Sequence, residues 1–380
     1  MGARQCVERT NRSCAATNVE QSLRRINVTD LGSEKKVPHD VVAEARRVGN
    51  AYSRSLQEVY RSISALRKDE NLDPARKKAA LQNLYDRLSW KDVKSSFSGD
   101  VVKNRVGVSF RASISHTRLI KDELKKQGLN IARGGNPKNQ DRSFAEALGV
   151  PTPGVVTSSV PYAEIEVAPR TVIKPMHGSS SRGVFLIGDD LTATSVYSGV
   201  SYQSFHQGIR AEFDERALAK KRKWIVEKLV GTYEKPAYDL KVFTFYGEPV
   251  LVEEIHRNAD EHSRNLFCFY RPDGEQVYVD RRRHRYQGTG FPPEVLEYAS
   301  RVSINTPAPF IRVDFLCSEG QVVLGEITPH PGGTYHGQIF EKIDKMLGQK
   351  FIEAEGRLSA DLLRGKDFTL YLDTYSSNRK

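Results

Sequence analysis

Apolar residues recur at spacings of three and four from residue 41 onward: Val41, Ala45, Val48, Tyr52, Leu56, Val59, Ile63 and Leu66. That spacing lays them along one stripe of a helix, which Asp40 can cap. Asp73-Pro74 then supplies a cap followed by proline in a first helical turn. Ala80, Leu81, Leu84 and Leu88 give that second helix an inward face. Together they predict a helical hairpin over residues 38–94. It either docks on the body of the protein or makes a coiled-coil contact in a homodimer. Residues 1–37 are polar and aperiodic, and read as disordered. Residues 101–110 and 129–132 read as strands around a helix at 115–127, with another helix from about 139 to 148. This order predicts a small α/β unit over residues 100–153. It carries no glycine-rich dinucleotide fingerprint, so a nicotinamide-binding domain is not supported.

Strand-like patterns dominate from residue 154 to the C-terminal helices. Two apolar runs between Thr171 and Ile187 flank a loop that contains Gly178, Ser179, Ser180, Ser181, Arg182 and Gly183, and Lys174 stands where the first run ends. Glycine lets a ligand approach the backbone, and successive N–H groups can cradle anionic oxygens. An ordinary hairpin loop is the plainer reading. Residues 224–231 form an apolar run interrupted by Glu227-Lys228. A strand end of this kind, if its backbone groups stay free, can pair with an adenine edge. Residues 239–252 read as strand, turn and strand, with Asp239 and Lys241 on the polar face. Lys241 is either a ligand contact or one side of a structural salt bridge. A further hairpin is expected at 266–270 and 276–279 around Pro272-Asp273-Gly274. A helix runs from Pro292-Pro293 to about Ser303, and short helical pieces at 341–347 and 360–364 close the chain.

The densest chemistry lies in residues 310–334, where two β-prone runs flank Ser318-Glu319-Gly320. A three-residue loop would pair Cys317 with Gln321 and set Arg312 opposite Glu326. Arg312, Asp314, Leu324, Glu326 and Thr328 would then share one face, with Ile311, Val313, Phe315, Val323 and Ile327 on the other. A two-residue loop at Glu319-Gly320 would put Asp314 and Glu326 on opposite faces. The three-residue register is favoured because it alone gathers the polar set. Neighbouring carboxylates are unfavourable unless a cation sits between them, and Mg²⁺ takes oxygen ligands with water or phosphate completing its shell. A polar solvated face is the alternative.

The net charge of +11 is unevenly placed. Residues 1–150 carry 29 Lys and Arg against 17 Asp and Glu, and the remainder carries 29 against 30. The basic excess suits an acidic substrate, a polyanion or a membrane surface, or is a solvated helical face. The run Arg281-Arg282-Arg283-His284-Arg285 could receive an acidic substrate. The four cysteines are far apart, which argues against a zinc site or a disulfide framework and for a reducing, cytoplasmic compartment. No apolar run approaches the ~20 residues of a membrane span, and nucleic acid is not an expected partner.

A strand-end lysine, a Gly/Ser loop, a strand with Glu-Lys, an Asp-x-Lys strand and then Arg-x-Asp…Glu-x-Thr resemble, in that order, the ATP-grasp superfamily. Asp-Leu-Lys-Val-Phe-Thr-Phe-Tyr-Gly with Gly-Glu-Ile-Thr-Pro-His-Pro-Gly-Gly is similar to its teichuronopeptide-biosynthesis-like (TupA-like) members, over roughly residues 135–350. The resemblance implies an α+β ATP-grasp fold in which two subdomains, at 154–230 and 231–380, clasp ATP. By the same resemblance, Lys174 contacts the α- and β-phosphates and Gly178–Gly183 forms the flap over the β- and γ-phosphates. Glu227 and Leu229 meet adenine through their backbones beside Lys228, and Lys241, with Asp239 nearby, contacts the nucleotide. Asp314 and Glu326 hold Mg²⁺, and Arg312 faces the transferring phosphoryl group or acyl intermediate. Many members carry asparagine where this chain has Thr328, and a hydroxyl is a weaker Mg²⁺ ligand than an amide carbonyl.

The implied activity is ATP-dependent joining of a carboxylate to an amine through an acylphosphate, in polysaccharide or peptide natural-product biosynthesis, with His330 and His336 as candidates to take the amine proton. Two alternatives stand beside it. One is a kinase of the same superfamily phosphorylating a hydroxyl. The other is a polyanion-binding protein with a degenerate nucleotide domain.

Overall fold

The computed structural model describes residues 41–97, 99, 108–127, 138–176, 181–213, 223–256, 266–279, 287–332 and 339–376. The expected disorder of 1–37, the strands at 101–107 and 129–132, Gly178, Ser179, Ser180, residues 281–285 and His336 lie outside the described residues. The chain divides into two compact units, Met1–Asp92 and Val93–Lys380.

In the first unit, helix α1 (Val41–Lys68) is followed by α2 (Pro74–Tyr85), whose cap Asp73 accepts from the Arg76 amide at 2.9 Å. Tyr60, Ile63, Tyr85 and Leu88 are buried. Tyr52 donates to the Asp92 carboxylate and Tyr60 to the Asp92 carbonyl, both at 2.6 Å. Val41, Val48 and Tyr52 of the expected stripe are exposed. Twelve residues of α2 cannot cover twenty-eight of α1.

The second unit is built on two antiparallel sheets. Strands β1 (Val155–Pro161), β2 (Thr171–Pro175), β3 (Phe185–Ile187), β4 (Ala193–Ser195), β5 (Ser201–Tyr202) and β6 (Lys223–Lys228) form six strands in the order β1-β6-β2-β3-β4-β5. Strands β7 (Tyr238–Phe245), β8 (Glu248–His256), β9 (Leu266–Tyr270), β10 (Ile311–Ser318) and β11 (Gln321–Thr328) form five in the order β11-β10-β7-β8-β9. Tyr246 and Gly247 turn β7 into β8 with positive φ at both positions, the geometry that matches strand twist in a two-residue hairpin. The expected hairpin after β9 reduces to a single bridge between Tyr270 and Gln276.

Helices α3 (Phe110–Lys126), α4 (Lys138–Ala147), α5 (Phe205–Glu212), α6 (Glu294–Ile304), α7 (Glu341–Leu363) and α8 (Thr369–Ser376) complete the unit. Helix α3 starts five residues earlier than expected, because Ser109 caps it through the Ala112 amide and Phe110 enters the core. Residues 108–110 are therefore not strand. Helix α7 is continuous rather than two pieces, since Leu347, Gly348, Phe351 and Ala354 keep one buried face across the intervening stretch. The main core lies against the five-stranded sheet, where Phe310 meets Phe110 at 4.8 Å and Phe245 at 5.1 Å between ring centroids. A smaller core of Ile173, Phe185, Ile187, Phe205, Trp224 and Val226 belongs to the six-stranded sheet.

Gly348 is where α7 passes closest to the start of α3. A Cβ there would lie 2.7 Å from the Phe110 amide nitrogen and 2.8 Å from the Ser109 carbonyl carbon. Gly348→Ala should therefore cost about 1–3 kcal/mol by forcing backbones apart, despite alanine's better helix propensity. Urea unfolding of the two proteins checks this, and an unchanged or raised midpoint would contradict the close crossing.

Candidate functional site

The β10–β11 hairpin departs from the favoured register. Ser318 pairs with Gln321, so the loop is the two-residue Glu319-Gly320, with Gly320 at φ +68°. Pairing continues to Phe315 opposite Leu324, then shifts by one residue, so that Asp314 faces Glu326 and Arg312 faces Thr328. Gly325 is the extra residue of a bulge. The short loop alone would separate the carboxylates, and the bulge returns them to one face. This register also sets Leu324 opposite Phe315, so that it joins the core instead of the polar face.

Across the sheet the same row continues. Asp314 also pairs with Lys241 of β7, and Lys241 with buried Glu253 of β8. Charges therefore alternate in sign from Asp314 through Lys241 to Glu253, with Glu326 as the like-charged outer member. Asp314 receives both Arg312 donors, Nε at 2.6 Å and Nη2 at 2.7 Å, and the Lys241 ammonium at 2.6 Å. Burial opposes its ionisation, yet Arg312 and Lys241 hold it below the usual carboxylate range. Burial likewise works against the Arg312 charge, but Asp314, Glu253 and Glu326 hold it above its ordinary value. Glu326 is pushed up, first by burial and then by Asp314, against the pull of Arg312, Lys138 and Lys241. The loop after β11 closes over the guanidinium, and a Cβ on Gly332 would lie 2.0 Å from Arg312 Nη1.

The six-stranded sheet contributes Lys174 and Glu227. The Glu227 carboxylate receives Lys174 at 2.5 Å and Arg142 of α4 at 2.8 Å. The expectation of free amides at this strand end is not met at Lys228 and Leu229, whose N–H groups donate to the carbonyls of Gly154 and Arg170. Ser181, Arg182 and Gly183 form the described end of the glycine-serine loop. There Arg182 donates to the Tyr197 hydroxyl at 3.2 Å and stacks on its ring.

A cavity of about 880 Å³ runs between the sheets. Its walls bring together Lys174, Ser181, Arg182, Glu227, Lys228, Leu229, Asp239, Lys241, Arg312, Asp314, Glu326 and Thr328. Gly183 is not among them. The volume lies within the usual range for small-molecule sites. One wall residue, Lys138, is absent from the sequence-derived set. It opens α4, donates to the Pro175 carbonyl at 3.2 Å, and is pushed down to about 8 by burial and then by Lys174. Nothing in the sequence marks it beyond a lysine at the start of a predicted helix. Buried Asp141, three residues on, anchors α4 by accepting from the Ile327 amide at 3.3 Å and the Tyr375 hydroxyl at 2.8 Å.

Two antiparallel sheets facing one another across a cation-rich cavity define the ATP-grasp fold. The chain belongs to the TupA-like ATP-grasp family, whose sequence model matches residues 140–352. No curated protein matches the chain. Among solved structures, it is similar to D-alanine–D-alanine ligase from Bacillus anthracis in complex with ATP, at 14% identity and TM-score 0.36 over 65% of this chain and 76% of that one. The ATP-grasp ligase PsnB with Mg and ADP gives 13% and 0.36 over 71% and 76%. D-cycloserine synthetase DcsG gives 11% and 0.35 over 80% and 95%.

Lys138 yields a test of the site's electrostatics. Its folded pKa, about 8, lies below the ordinary 10.5, so its charge destabilises the free protein fully below pH 8 and not at all above 10.5. Lys138→Met should raise unfolding free energy at pH 7 by about 1–3 kcal/mol. The gain should shrink as pH rises from 8 toward 10.5. Urea unfolding at pH 7 and pH 10 decides it. A variant less stable at both would mean the ammonium is compensated.

Proposed function

We propose that the protein is an ATP- and Mg²⁺-dependent ligase that joins a carboxylate to an amine. The observation that carries the reading is the pair Asp314 and Glu326, set directly opposite one another within reach of the charges on Lys138, Lys241 and Arg312. Two facing carboxylates, one of them pushed up by the other, form a donor set that gains from a cation. Among the described residues no group of three or more His, Cys, Asp or Glu could hold a metal. An ion at this pair would therefore complete its shell with phosphate and water oxygens, the usual habit of Mg²⁺. Thr328 could add its hydroxyl, which now donates to the His330 carbonyl at 3.1 Å and keeps its lone pairs.

Lys138 and Lys174 would hold phosphate oxygens, and Ser181, Arg182 and Gly183 would close over them together with Gly178, Ser179 and Ser180. Glu227 keeps Lys174 in place. The cavity flank at Lys228, Leu229 and Asp239 would take the nucleoside. ATP would supply the phosphoryl group that turns the substrate carboxylate into an acylphosphate. The amine nitrogen then bonds to the acyl carbon as the carbon–oxygen bond to phosphate breaks, and the amine proton leaves to solvent or phosphate. Arg312, oriented by Asp314 and capped by Gly332, would offset negative charge on the acyl oxygen, where fixed donors are most effective.

An ADP-release screen across carboxylate and amine pairs tests this. Release should require both partners, and Asp314→Asn should lower it by about a thousand-fold or more. Formation of a stable phosphorylated product without an amine would replace the ligase reading by a kinase one. Turnover indifferent to Asp314→Asn would remove the role of the Asp314–Glu326 pair, and absence of ATP turnover with every carboxylate and amine pair would remove the enzyme reading.

A further inference from the structure

A second group of cations lies on helix α3. The inward stripe of that helix runs Phe110, Ile114, Thr117, Lys121 and Leu124, at spacings of three and four. Its first two members are in the core, and Lys121 occupies a position where an apolar residue would be ordinary. Its Nζ is buried and has no hydrogen-bond partner. The Nδ1 of His330, on the loop that leaves β11 between Thr328 and Gly332, is also buried and without a partner. Arg118, one turn before Lys121 on α3, and Arg312 both act electrostatically on His330, as does Lys121 itself.

This group differs from the one in the nucleotide cavity. There Lys174 and Arg142 share Glu227, and Lys241 and Arg312 share Asp314. Around Lys121 no described carboxylate takes that role: burial and Arg118 both act against its charge, which moves the ammonium down to about 8. A buried ammonium without an acceptor is costly, and native structures rarely leave such a group unsatisfied.

We propose that Lys121, Arg118 and the buried edge of His330 form the subsite that binds the carboxylate-bearing substrate and presents it to Arg312. The substrate class rests on the ligase reading, while the anion site itself rests on the buried, unpartnered Nζ. Lys121 would take one carboxylate oxygen, exposed Arg118 would draw the anion in, and His330 would receive a hydroxyl or amine hydrogen of the same molecule. Thr328 and Gly332, which flank His330 on its loop, line the nucleotide cavity together with Arg312, so a carboxylate held there would border the position where phosphoryl transfer would occur.

Succinate serves as the probe, with the full chain as wild type, Lys121→Met and Arg118→Gln. Calorimetric titration is run with and without saturating Mg-ADP. The expected result is saturable succinate binding to wild type that persists beside Mg-ADP and weakens about ten-fold in Lys121→Met, the worth of one charge-assisted hydrogen bond. Lys121→Met should also melt higher than wild type without succinate. Arg118→Gln, at an exposed position, keeps the test open if the buried variant misfolds, and should weaken succinate in the same direction. Equal affinity in all three proteins, no saturable binding, or displacement of succinate by Mg-ADP would overturn the subsite. Failure of Mg-ADP itself to bind would instead remove the nucleotide reading and leave the anion site standing.

Discussion

The second unit is arranged around two like charges held face to face. Directly opposed residues in an antiparallel pair bring their Cβ atoms within about 5 Å, a destabilising separation for two carboxylates. Buried Asp314 and half-buried Glu326 occupy such a pair. The arrangement persists because Asp314 spends its charge on Arg312 and Lys241, which leaves Glu326 to carry the repulsion. Other features serve the same end. The Gly325 bulge brings Glu326 opposite Asp314, and the pairing of β10 with β7 places Lys241 beside it.

Helix α4 joins this centre to the other sheet. Asp141 ties it to β11 and α8, Arg142 reaches Glu227 on β6, and Lys138 reaches the carbonyl of Pro175 at the end of β2. One turn of helix thus contacts both walls of the cavity. Glu227 is nearly inaccessible, with two cations on its two oxygens. Removing either cation would leave a buried charge half compensated, which typically costs several kcal/mol. Lys174 is therefore held by structure as much as by any ligand, and its position at the end of β2 is set before anything binds.

Charged residues alternating with apolar ones make β7 and β10 legible, at Asp239 and Lys241 and at Arg312 and Asp314, whereas β8 is read from its apolar run and is buried through both Glu253 and Glu254. Alternation also brings Lys241, Arg312, Asp314 and Glu326 into view as a set. The register is beyond its reach. A bulge at Gly325 changes neither composition nor the count of apolar residues, so a wrong loop length and an unseen bulge lead to the right face for Asp314 and Glu326 by the wrong route. Helix α7 reads as two pieces because its middle is polar in pattern, whereas the buried Gly348, Phe351 and Ala354 carry the packing. Lys138 and Lys121 escape a reading of the sequence for one reason. A lysine in an amphipathic helix looks like surface until tertiary packing shows its nitrogen in a cavity wall or buried without an acceptor.

The two cation groups differ in what an incoming anion must displace. Arg312 and Lys241 are engaged with Asp314, so they can turn toward a phosphate only if another positive charge takes over that carboxylate. Binding of an anion there is consequently coupled to binding of a cation, and neither should be strong alone. Lys121 has no such resident partner among the described residues, so an anion that reaches it gains the whole interaction without breaking an ion pair. A site built this way would hold a carboxylate independently of whatever binds beside Asp314, while Arg312 stays engaged with Asp314 until a cation takes over that carboxylate.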